Sequence, residues 1–191
     1  MGQETNIRRV TLFALRVTLL APVTLVLWWL CLPVYASIVG HIAAFILQIA
    51  FSFDISRVVV EPKGFLNTQT LLGFAVGDRT PTTPVAMIVS NTATYFALVL
   101  ATRRLTWRNT AKVLAIGVAI LTTTHIAHIV FFFAFSRTIG QYPQIPTAIA
   151  QIFLTLPFLL WIALAYWPSV QQEQTTDTSH SCSADDPTKR L

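Results

Sequence analysis

Apolar residues along this chain come in long runs, with few of the short alternations that mark half-buried strands. Four runs approach the ~20 residues that a helix needs to cross a hydrocarbon core: about Val10 to Leu32, Pro84 to Ala101, Ala111 to Phe135 and Pro146 to Trp167. The first carries Arg16 one or two turns in, where a long side chain can snorkel to the headgroups. It ends with Trp28 and Trp29 as an aromatic anchor, and Tyr166 and Trp167 close the fourth in the same way. The pattern predicts an all-α integral membrane protein, a four-helix transmembrane bundle forming one domain over residues 1–167.

A fifth apolar stretch, Val34 to Phe53, contains His41 and Gln48 and runs into Asp54. Charge decides its place. Arg103, Arg104, Arg108 and Lys112 form the strongest basic cluster, and Arg8, Arg9 and Arg16 flank the first run; both groups belong on the cytoplasmic side. Two inside points need an even number of spans between them. Val34 to Phe53 is therefore expected to continue the first helix past Pro33 as an extracytoplasmic extension, packed on the bundle or lying in the interface.

Residues 53–84 then change character, with β-branched residues on either side of Glu61-Pro62-Lys63-Gly64. A small extracytoplasmic β-hairpin is expected there, closing the outer segment 34–83. Residues 168–191, rich in Gln, Thr, Ser and Asp, are expected to be a disordered cytoplasmic tail. Both termini are then cytoplasmic. A secretory signal is the competing reading of the start, with Val34-Tyr35-Ala36 as a cleavage site, but the first apolar run exceeds the ~7–15 residues of a signal core.

Composition agrees with this picture: 54% hydrophobic and 11% charged residues place the chain outside the soluble range. The net charge of +5 would point to nucleic acid in a soluble domain. Here the basic residues border apolar runs, so no nucleic-acid partner is expected; the first partner is the lipid bilayer. Cys31 sits in an apolar run and Cys182 in the tail, giving neither a disulfide framework nor a metal-ligand spacing.

Polar groups inside apolar runs are the pointers to function, since they are costly in hydrocarbon unless they face a partner or water. Ser90, Asn91, Thr92, Thr94 and Tyr95 cluster in the outer half of the second run, and His125 and His128 share one face of the third, one turn beyond Thr122–Thr124. An antiparallel pairing brings them to similar depth, and the candidate polar site is Ser90, Asn91, Tyr95, His125 and His128. The plain alternative is interhelical packing, where each hydrogen bond is worth ~0.6 kcal/mol on average. Packing is the favoured role for the two histidines. No metal or cofactor is expected: helical zinc pairs are spaced i, i+4 with a Glu between, and haem would need an opposing axial histidine, for which only His41 and the tail's His180 are available.

The order "SNTATYF", basic turn "ATRRLTWRNTAK", then "THIAHIV" is similar to the core of the exosortase/archaeosortase superfamily of membrane transpeptidases, over about residues 85–135. The stretches corresponding to that family's nucleophilic-Cys patch and Asn-x-x-Arg pair read Ser90-Asn91-Thr92 and His125-x-x-His128, so its catalytic Cys and Arg are both missing. Over the whole chain, the span ending "LVLWWLCLP", the long apolar continuation, the "VVVEPKG" element and three more helices resemble the exosortase-associated small membrane proteins. That resemblance implies a non-catalytic accessory of an exosortase-like protein-sorting system in the inner membrane of a Gram-negative bacterium, with a membrane exosortase-like protein as partner. The alternatives are a catalytically divergent transpeptidase, with Ser90 activated by His125 or His128, and a small haem, quinone or transport protein.

Overall fold

The computed structural model describes residues 2–102, 106–136 and 144–166. The expected tail, the basic positions Arg103 and Arg104, the anchor residue Trp167 and the tail residues His180 and Cys182 lie outside them. The described residues are mostly helical, with two long apolar helices, three shorter ones and a small three-stranded sheet.

Helix α1 is unbroken from Gly2 to Phe51 and contains both Pro22 and Pro33. At 1.5 Å per residue it is about 75 Å long. The first and fifth apolar stretches are thus one rod, and Pro33 joins them. Each proline lacks the N–H that would bond to the carbonyl four residues earlier, at Thr18 and Trp29. Apolar packing and a donor from another element hold the second site, as described below.

The C-terminal half of α1 carries small residues on one face, and the sheet sits on them. Ala36, Val39, Ala43, Ala44 and Leu47 form one buried cluster with Ile55, Leu72, Phe74, Val85, Ile129 and Phe133. Gly40 is the closest approach: a Cβ there would fall 2.7 Å from Leu72 Cδ1 and 2.9 Å from Val58 Cγ1. After Phe51 the chain reverses through Ser52, in the left-handed region at φ 54°, and Gln48 Nε2 donates to the Ile55 carbonyl at 2.8 Å.

Strands β1 (Ile55–Glu61), β2 (Leu71–Val76) and β3 (Thr82–Pro84) run antiparallel in that order. The expected hairpin is therefore one strand larger. Val58 pairs with Phe74 and Val60 with Leu72, while Leu71 pairs with Pro84. Pro84 sits on the edge strand, where its missing N–H breaks no ladder. The β1–β2 connection carries a 3₁₀ turn at Phe65–Asn67, with Gly64, Leu66 and Asn67 all at positive φ.

The second expected run, Pro84 to Ala101, is corrected at its start. Pro84 belongs to β3, and the helix is split into α2 (Ala86–Val89) and α3 (Asn91–Ala101) at Ser90. Helix α4 spans Trp107–Ala134, with the Thr106 hydroxyl accepting from the Asn109 N–H as its N-cap. Helix α5 spans Gln144–Trp161, contains Pro157, and ends in a π-helical turn at Ile162–Tyr166. Helix α1 packs against α3 and α4, and α3 against α5. The helices Val10–Phe51 and Trp107–Ala134 are long and apolar enough to cross a membrane.

Candidate functional site: a polar centre at His125

His125 is fully buried, and its two ring nitrogens face different helices. Nδ1 lies 2.7 Å from the Tyr35 hydroxyl on α1, and Nε2 lies 3.0 Å from Asn91 Oδ1 at the start of α3. Asn91 Nδ2 donates in turn to the Phe153 carbonyl on α5 at 3.2 Å. One imidazole thus connects four helices.

The direction of every bond follows from one proline. Pro157 cannot donate to Phe153, four residues earlier, so that carbonyl is left without its helical partner. The Asn91 amide fills the vacancy, and this fixes the amide's orientation, with its oxygen toward His125. An oxygen there accepts, so Nε2 carries the proton and Nδ1 is the acceptor for the Tyr35 hydroxyl. The Thr122 hydroxyl, 3.2 Å from the Tyr35 oxygen, is left to donate to it. Each of the polar atoms named in this hydrogen-bonded network has a partner, as burial in an apolar surrounding requires.

A second asparagine repeats the device. Pro33 orphans the Trp29 carbonyl, and Asn67 Nδ2 donates to that carbonyl at 3.3 Å. The β1–β2 connection is thereby tied to α1 at the level of Trp29. Neither Asn67 nor Tyr35, Trp29 or Phe153 is marked by sequence spacing. The available signal was the proline itself, whose position names the carbonyl four residues back that needs an outside donor.

The candidate residues do not form one cluster. Asn91 and His125 meet. Ser90 does not join them: its hydroxyl bonds to the Ala86 carbonyl and lies 3.3 Å from Trp29 Nε1, which donates to it. The serine-histidine contact needed for an activated nucleophile is absent from the hydrogen bonds of the described residues. Tyr95 is elsewhere again, its hydroxyl donating to the Val113 carbonyl at 2.8 Å and its ring pressed on Gly117, where a Cβ would come within 2.2 Å of it. It clamps α3 to α4.

His128 shares the helix face of His125 but not its role. It is half-buried and makes ring contacts, with Phe153 at 5.1 Å and Phe132 at 6.3 Å between centroids. Phe153 stacks on His125 from its other neighbour, at 5.7 Å and 18°. Of the remaining polar candidates, His41 Nδ1 bonds within α1 to the Ser37 carbonyl, and Thr123 and Thr124 bond back to Ala119 and Ile120. Among the described residues no three His, Cys, Asp or Glu side chains come together as metal ligands. One buried donor is unmatched: Trp28 Nε1, beside the Tyr35 ring.

Chemically this centre is a saturated junction. Both imidazole nitrogens are engaged, the hydroxyls of Tyr35 and Thr122 are engaged, and among the described residues no carboxylate is bonded to it. Compared with known proteins, the chain matches no family model, no curated protein and no solved structure.

Proposed function

We propose that this chain is a non-catalytic accessory protein of the bacterial inner membrane, crossing it four times and serving an exosortase-like protein-sorting system. The observation that carries the non-catalytic part is the saturation of His125: its two nitrogens are spent on Tyr35 and Asn91, and Ser90 is bonded to other groups.

Two layers support the membrane placement. At one end Phe13 stacks on Trp161 at 5.3 Å, and Trp161 Nε1 donates to Thr102 at 2.9 Å. At the other, Trp29 meets Ser90, and Leu32 packs with Ala86 and Val89. Along α1, Phe13 to Leu32 is about 28 Å, close to the ~30 Å of a hydrocarbon core. The basic residues Arg108 and Lys112 belong to the first end, which the charge rule puts inside. The sheet then stands outside. Its β1–β2 connection hangs back to Trp29 and exposes Phe65 beside Lys63, an apolar and basic pair suited to the outer headgroup layer.

The accessory role rests on the resemblance to exosortase-associated proteins together with the inert centre. Co-production with an exosortase-like protein is the test. The two should copurify in mild detergent, and His125→Gln, which keeps a hydrogen bond, should retain sorting. Loss of sorting by folded His125→Gln protein would overturn the non-catalytic reading.

A further inference from the structure

Beyond Leu32, α1 has two apolar faces, and only one is covered. The sheet takes Ala36, Val39, Gly40, Ala43, Ala44 and Leu47. On the opposite side stand Val34, Ile38, Ile42, Phe45 and Ile49, exposed by 67, 56, 41, 63 and 68%. Steps of three and four residues keep these five on one line of the helix. The line is about 22 Å long.

It continues a longer one. Leu12, Leu15, Leu19, Val23, Val26 and Leu30 are exposed too, in the same steps of three and four, and Leu12, Val23, Val34 and Phe45 repeat every 11 residues, so the line winds slowly around the helix. From Leu12 to Ile49 the stripe measures about 55 Å, against a hydrocarbon core of ~30 Å. On the membrane placement proposed above, acyl chains cover the part up to Leu30. Val34 to Ile49 stands in water, and lipid cannot cover it. A contiguous exposed apolar strip of this kind marks a docking surface.

We infer that this strip is a homodimer seam, in which the outer half of α1 packs in parallel against the outer half of α1 from a second copy of this chain. Three features select that occupant. A covering helix must be apolar and rise more than 20 Å above the core, and α1 itself is such a helix at the right depth. Copies inserted with one orientation are related by a two-fold axis along the membrane normal, which sets each residue opposite its own equivalent. The seam tolerates this self-pairing, since no Asp, Glu, Lys or Arg occurs from Val17 to Phe53. An 11-residue repeat gives such a pair a right-handed twist.

The test uses the full chain in native membranes, with Cys31→Ser and Cys182→Ser as background and one cysteine added at a time. Ile38→Cys, Phe45→Cys and Ile49→Cys should form disulfide-linked dimers on mild oxidation, while Lys63→Cys, on the exposed β1–β2 connection, should not. In detergent, Phe45→Lys should shift the protein from twice the chain mass to the mass of one chain. Seam cysteines that react fully with a small maleimide yet give no dimer would overturn the inference, as would cross-links from these positions to a different protein. The membrane placement fails separately, if Leu19→Cys is freely labelled by a water-soluble maleimide.

Discussion

At the scale of single residues, the central pairing is between prolines and asparagines. Pro157 removes a helical donor and Asn91 supplies one, so the two should be coupled energetically. Asn91→Ala alone removes the donor to the Phe153 carbonyl and the Asn91 partner of His125 Nε2, at a cost on the order of 1–3 kcal/mol for an orphaned buried group. In a Pro157→Ala background the helix regains its own N–H, and part of that cost should vanish. Thermal unfolding of the four proteins of this cycle in detergent should give a coupling of ~0.5–3 kcal/mol; additive effects would mean that Asn91 does not answer to the proline. His125→Leu should destabilise more than His125→Gln, since Leu strands both Tyr35 and Asn91. His128→Phe should leave the unfolding temperature nearly unchanged, because His128 makes ring contacts that Phe can reproduce. Trp28→Phe should be tolerated for a related reason, as it removes a buried donor that has no acceptor among the described residues.

At the scale of elements, close approach is made possible by two glycines. The Tyr95 ring lies on Gly117, and the Leu72 and Val58 side chains lie on Gly40. Gly117→Ala should force α3 away from α4 and cost on the order of 1–3 kcal/mol. Adding Tyr95→Leu should recover part of this, a reversal that a simple loss of helix propensity would not show. Unfolding temperatures of the single and double variants check it. Helices α1, α4 and α5 were legible because runs of this length and hydropathy have few alternative structures. The sheet was legible only in part. Val58, Val59 and Val60 announce β1, whereas Thr82–Pro84 is a strand flanked and ended by prolines, which argue against pairing everywhere except at an edge. The break at Ser90 carries no Gly or Pro and could not be read from spacing. Of the candidate residues only Asn91 and His125 meet, and the connections of His125 were not legible: Tyr35 and Phe153 lie 90 and 28 positions from it in sequence, and only tertiary packing brings them together.

At the scale of the whole molecule, α1 acts as the spine. Its N-terminal half packs with α3 and aligns with the apolar helices, while its C-terminal half carries the sheet on one face and leaves the other open. Everything proposed about function depends on which of these halves lies in lipid. That is decided most directly by an impermeant maleimide applied to intact cells that make the full chain with Cys31→Ser, Cys182→Ser and a single added cysteine. The four-span reading predicts that Lys63→Cys is labelled from outside and that Arg108→Cys is labelled only after the membrane is permeabilised. Labelling of Arg108→Cys in sealed cells, or protection of Lys63→Cys, would contradict it.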